Sequence, residues 1–221
     1  MNTLTIVALP FLGTVIGAST VLLARHSVSS RIHNALLGFA AGVMVAASVW
    51  SLIIPSLELS EPMGKMSWMP AAVGIILGML FLLVLDSLVP HMHPGTDTRE
   101  GLRSTLGKRQ MLMLAVTLHN IPEGAIISLP LRGDGMSRGK AFGYGALSGI
   151  VEPISALVMV LLYEHISPIL PYLLSFSAGA MLYVVVEELI PETQQGKHSD
   201  IGTIAFAIGF VIMMILDVAL G

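Results

Sequence analysis

Cysteine is absent from all 221 residues. No disulfide framework and no thiolate metal cage can form, so a metal site must draw on His, Asp, Glu, Asn or Met. Charge is scarce as well. Asp, Glu, Lys and Arg make up 11% of the chain, where a soluble domain carries about 25%. With 54% hydrophobic residues, a soluble globular domain is excluded and an integral membrane protein is predicted. The net charge of −3 is spread over loops and offers nucleic acid no basic surface. A basic n-region is missing before the first apolar stretch, 4–24, which also exceeds the roughly 7–15 residues of a signal-peptide core. It reads as a retained span.

Long apolar runs are what the chain has in abundance. A crossing helix needs about 20 mostly apolar residues. Seven stretches qualify: 4–24, 35–54, 70–89, 110–131, 141–163, 166–186 and 201–220. Short polar connections carry turn signals, such as Glu61-Pro62 and Gly133-Asp134-Gly135. The longest linker, 90–109, holds His91 and His93. No soluble domain is long enough to fold alone. The predicted fold is an all-α polytopic transmembrane bundle in one membrane domain. Gly13 with Gly17, and Gly38 with Gly42, are small-residue pairs that let helices approach closely.

Loop charge conflicts with seven crossings. Lys and Arg should gather on the cytoplasmic side. Seven simple crossings place six basic residues on one side and five on the other. One more crossing between Arg109 and Arg132 would switch every later loop and leave only Lys65 on the minor side. Yet the 22 residues of 110–131 cannot cross twice as helix at about 1.5 Å per residue.

The polar motif His119-Asn120-Ile121-Pro122-Glu123-Gly124 lies inside that same apolar stretch. A mid-helix carboxylate costs roughly 2.5–3.5 kcal/mol on insertion scales. On a helix, His119 and Glu123 share one face, and imidazole with carboxylate suits a divalent transition metal. A second intramembrane acid is Glu152, in Ser148-Gly149-Ile150-Val151-Glu152-Pro153. Each acid sits beside a proline, which removes an N–H and frees the carbonyl four residues back. Those carbonyls belong to Leu118 and Gly149. Kinked helices with freed carbonyls are a recurring way to build an ion site at mid-membrane. The bland alternative is a proline kink whose acids pair with another helix.

Weaker candidates remain open. Glu187, Glu188 and Glu192 close the sixth stretch as an entry or exit site or as an interfacial carboxylate cluster. Asp86, His91 and His93 end the third, either to gather metal as it leaves the membrane or as a solvated His loop. Met44 offers a thioether or simply packs. Asp217 is assigned no role.

The segments HNIPEG at 119–124, SGIVEP at 148–153, VVVEELIPE at 184–192 and AAGVMVAASVWSLIIPSLE at 40–58 resemble the ZIP family of divalent-metal transporters, its GufA-like bacterial branch above all. The resemblance covers nearly the whole chain. It implies eight helices, with an inverted three-plus-three repeat around two central ones. It also implies movement of zinc, iron, manganese or cadmium into the cytoplasm. His119, Asn120, Glu123 and Glu152 are the metal ligands it implies, with Met44 as an outer ligand. The family pattern has two such motifs on successive central helices, and this chain has one. A deletion of about one helix leaves a hybrid central segment, 110–131, between repeats at 1–89 and 141–221.

The expected function is divalent-metal transport by alternating access in the cell membrane of a bacterium. The metal is substrate, and no cofactor is called for. A non-transporting derivative with a reduced metal site is the alternative. A homodimer follows from the resemblance only. Enzyme chemistry is not expected, since an intramembrane metalloprotease would use H-E-x-x-H and the chain has none.

Overall fold

The computed structural model describes residues 3–23, 29–88, 124–133, 135–194 and 200–220. Among them no strand occurs. Four helical stretches are long and apolar enough to cross a membrane, namely Ser30–Leu59, Trp68–Leu88, Ser167–Thr193 and Ile201–Val218. The chain is an all-α multi-pass membrane protein. In order, the helices are α1 (Thr3–Leu23), α2 (Ser30–Ala47), α3 (Ile54–Leu59), α4 (Trp68–Leu88), α5 (Gly124–Gly133), α6 (Arg138–Ser148), α7 (Val151–Ile166), α8 (Leu170–Val184), α9 (Ile190–Thr193) and α10 (Ile201–Leu220).

Prolines explain where these helices depart from the sequence expectation. The second apolar stretch was expected to end at residue 54, and the sixth at 186. Both run on as helix, to Leu59 and Thr193. Each passes through a widened turn just before a proline, at Ser48–Ile53 before Pro55 and at Val185–Leu189 before Pro191. Proline cannot donate to the carbonyl four residues back. The residue ahead of it therefore reaches five back, Ile54 N–H to the Val49 carbonyl and Ile190 N–H to the Val185 carbonyl. A single π-turn absorbs the defect without ending the helix. The fifth stretch, 141–163, instead breaks in two at Gly149–Ile150.

The chain divides into two compact units. One unit is drawn from 34–115 and 167–221 and holds α4 against α8 and α2 against α10. Small residues bring these backbones together. Gly74 faces Tyr172 and Ser175, Gly78 faces the Phe176 carbonyl, and Gly179 faces the Ile75 carbonyl. Ser175, fully buried, donates its Oγ to the Pro70 carbonyl at 2.9 Å. Farther along, the Tyr183 hydroxyl donates to Asp86 at 3.2 Å. Position rises with position, so α4 and α8 run parallel. The second pair behaves alike. Gly38 meets the backbone of Gly202, Gly42 that of Phe206, and Ser51 Oγ donates to Asp217 at 2.7 Å. The Gly38–Gly42 pair is thus a close helix contact, as its spacing predicts. Outward faces are apolar, for example Ile76, Leu80, Phe81 and Val84 on α4 and Ile208, Ile212 and Ile215 on α10. Such faces suit lipid tails.

The other unit is drawn from 1–33 and 116–166 and packs α1 against α5, α6 and α7. Thr14, Ala18 and Val21 of α1 are buried. Ser128 of α5 donates its Oγ to the Ala18 carbonyl at 3.3 Å. A Schellman turn links α5 to α6. Gly135 N–H bonds the Arg132 carbonyl at 3.0 Å and Met136 N–H bonds the Leu131 carbonyl at 3.1 Å. This closure needs a left-handed residue, and Gly135 supplies it at φ 90°.

Candidate metal centre

The helix pair after the turn sets the depth of the predicted site. α5 has 10 residues, so it rises about 15 Å. α6 has 11 residues and rises about 16 Å. The two pack side by side from one shared turn. Gly124 and Ser148 therefore lie at a similar distance from that turn.

Helix α1 confirms the level independently. Arg138, at the start of α6, donates Nη1 to the Leu22 carbonyl at 3.5 Å. Gly149, just past its end, abuts Thr14. Eight residues of α1 separate these contacts, about 12 Å of rise. The break thus lies beside Thr14, about 12 Å along α1 from the Arg138 contact.

The break has a local cause. Pro153 lacks the N–H that would engage the Gly149 carbonyl. Ile150 N–H instead bonds the Leu147 carbonyl at 3.1 Å, a tight last turn. A bulkier residue at 149 would not fit, because an added methyl would come within 2.7 Å of the Thr14 side chain. Glycine at 149 and proline at 153 together make a discontinuous membrane helix, and Glu152 is the second residue beyond the discontinuity.

Of the predicted ligands, His119, Asn120 and Glu123 lie outside the described residues. The last residue of their motif, Gly124, is the first described residue of α5. Glu152 is placed in α7, and its side chain lies outside the described residues. Met44 is buried on α2, in the other unit. Among the described residues, no three of His, Asp and Glu converge as a ready metal cluster.

The secondary acids fall into two polar contacts that sequence separation conceals. Asp86 is buried and accepts the Tyr183 hydroxyl, and Glu187 and Glu188 lie within electrostatic reach of that hydroxyl. Two clusters that looked separate in the sequence thus meet at one corner of α4 and α8. Glu192 lies just beyond, on α9. His91 and His93 lie outside the described residues. Asp217, assigned no role from the sequence, takes the Ser51 hydroxyl through Oδ1, while its Oδ2 is buried with no hydrogen-bond partner. Neither Tyr183 nor Ser51 carried a signal in the sequence. Their partners are 97 and 166 residues away.

The sequence pattern described as ZIP zinc transporter matches residues 100–217. That is more than half of the chain, and it spans the hybrid segment, the helix break and the acid-rich helix. The chain belongs to the ZIP family. Relatives include the zinc transporter ZIPB of Bordetella bronchiseptica, 34% identical with 96% of this chain and 79% of the relative covered. Zinc transporter GufA of Myxococcus xanthus is 33% identical, with 94% of each covered. The human zinc transporter ZIP11 is 30% identical, again with 94% of each covered.

These alignments also carry a length signal. The one with GufA runs over 242 positions, although 94% of this ZIP chain is only about 208 residues. The one with ZIPB runs over 244 positions against about 212 residues here. About 32 to 34 positions in each face no residue of this chain.

Proposed function

We propose that this ZIP chain moves divalent transition-metal ions, zinc first among them, toward the cytoplasm by alternating access. His119, Asn120, Glu123 and Glu152 serve as metal ligands, and Met44 as an outer thioether ligand. The observation that carries this reading is the helix break at Gly149–Ile150 directly before Glu152. α5 and α6 share one turn, so Gly124, the last residue of the HNIPEG motif, and this break lie at a similar distance from it. Imidazole and carboxylate oxygens are the donors that Zn2+ takes in the absence of thiolate, and this chain has no cysteine. The freed Gly149 carbonyl adds an oxygen at the same level, as in other transporters built on broken helices. The metal is cargo rather than a resident cofactor. No covalent bond is made or broken, so the activity is transport and not enzyme catalysis. A homodimer rests on family likeness alone.

The test is zinc uptake into proteoliposomes of the purified chain. Uptake should saturate. Glu123→Ala and Glu152→Ala should each lower it by more than the roughly tenfold that losing a mere supporting residue costs. Unchanged uptake in both variants overturns the ligand assignment.

A second reading is favoured by one observation, the missing 32 to 34 aligned positions. A chain left with one motif of two would bind metal without carrying it. Folded protein that binds zinc in equilibrium dialysis yet gives no uptake would decide for that reading.

A further inference from the structure

We propose that the turn between α3 and α4 binds a soft monovalent cation, Cu(I) or Ag(I), through the thioethers of Met66 and Met69, with Met63 as a third donor.

Methionine is unevenly placed on the surface. Three of the 14 methionines fall at positions 63, 66 and 69. Met63 is 42% exposed and Met66 47%. Among the described residues no other methionine is exposed. The outward faces of the long helices are built from Leu, Ile, Val and Phe instead. Leucine would serve equally wherever apolar character alone is needed. What methionine adds is a polarizable sulfur on an unbranched, flexible stem.

The backbone brings two of these residues to one side. Met63 N–H bonds the Ser60 carbonyl at 2.9 Å. Ser60 is itself buried, and its Oγ donates to the Ser56 carbonyl at 2.7 Å. Gly64 then redirects the chain at φ 59°, a conformation that glycine adopts without a Cβ clash. Past it, Ser67 N–H bonds the Gly64 carbonyl at 3.1 Å. Met66 and Ser67 have helical backbone, and α4 follows from Trp68. Met66 and Met69 are thus three apart on continuous helical backbone. Such residues are neighbours on one face, with Cβ atoms about 5–6 Å apart. Each side chain has three rotatable bonds, so both sulfurs reach one ion. Met63 stands just before the Gly64 turn. The segment is held by its own hydrogen bonds, so little ordering is left to oppose binding.

Donor chemistry and charge select the cation. Thioethers are soft, neutral donors of the type that selects Cu(I), whereas Zn2+ takes thiolate, imidazole and carboxylate. Lys65 lies four residues before Met69, on the same helical face. Its ammonium repels a divalent ion twice as strongly as a monovalent one. Glu58 and Glu61, exposed on the same segment, offset that repulsion for the single charge. The site therefore differs in kind from a centre of imidazole and carboxylate.

The experiment titrates Ag+ into the purified full chain in detergent and chloride-free buffer. No cysteine is present to compete for the ion. Trp68 stands between Met66 and Met69, and in a W50F background it is the sole tryptophan. Its emission should change saturably with Ag+. M66L and M69L should each weaken the response by more than the roughly tenfold that loss of a supporting group costs. Leucine keeps the size and apolarity of methionine, so a role in packing or membrane contact alone would leave both variants binding as the parent does. M136L, at a half-buried position away from this turn, should bind as the parent does. Excess Zn2+ should not displace Ag+. If W50F fails to fold, methyl carbon-13 shifts of the methionine-labelled parent chain follow the same titration. The inference is overturned by the absence of a saturable response in the parent, by unchanged binding in M66L and M69L, or by displacement with Zn2+. The readout involves no transport, so it stands or falls apart from zinc uptake.

Discussion

Replacing Gly78 by alanine forces α4 away from α8. A methyl at this position would overlap the Phe176 carbonyl oxygen and come within 2.9 Å of the Ala180 nitrogen. Both atoms are helix backbone and cannot rotate aside. Ordinary carbon–oxygen contact is about 3.3–3.6 Å, so the helices must part by about 1 Å. The Ser175–Pro70 bond at 2.9 Å and the Tyr183–Asp86 bond at 3.2 Å then stretch past the range of about 3.2 Å in which such bonds are effective. Each interhelical bond in a membrane contributes about 0.6 kcal/mol, and overpacking costs about 1–3 kcal/mol. Alanine returns about 1 kcal/mol through its better helix propensity. The net loss is about 1–3 kcal/mol. Equilibrium unfolding in mixed SDS micelles, followed by the fluorescence of Trp50 and Trp68, measures it. Gly143→Ala is the control, because nothing lies within 4 Å of a methyl there. That variant should be neutral or slightly stabilised. A Gly78→Ala protein as stable as the parent, or a Gly143→Ala protein equally weakened, would refute the packing argument.

Other expectations test the site and its supports. Glu123→Ala and Glu152→Ala should abolish saturable zinc uptake in proteoliposomes while leaving membrane insertion intact. Gly149→Ala should destabilise the helix break by about 1–3 kcal/mol. Thr14→Ala, which removes the nearest methyl but keeps Cβ, should restore only part of that loss in the same unfolding assay. Ser175→Ala deletes a fully buried hydroxyl that bonds the Pro70 carbonyl. It should cost about 0.6 kcal/mol, and no more than about 1.7.

Much of this protein is legible in its sequence, because the controlling forces there are local. Apolar runs of about 20 residues mark membrane helices whatever their neighbours do. The stretches 201–220 and 4–24 coincide with α10 and α1 to within a residue or so. The pairing of Glu152 with Pro153 located the helix break just before it. Helix ends near Pro55 and Pro191 were placed too early, since a π-turn can carry a helix past a proline and periodicity does not foresee it. The meeting of Asp86 with Tyr183 and of Ser51 with Asp217 required folding, because loop lengths and helix crossings decide such contacts.

The direction of each crossing belongs to the tertiary structure. Counting hydrophobic stretches gave seven passes and an even spread of basic residues, while the charges themselves argued for another crossing. Sequence could not choose, because hydrophobicity measures the length of a segment and is blind to its direction. Direction appears only when two helices touch along their length. Gly74, Gly78 and Gly179 on one pair, and Gly38, Gly42 and Gly202 on the other, bring the backbones close enough to fix both pairs as parallel.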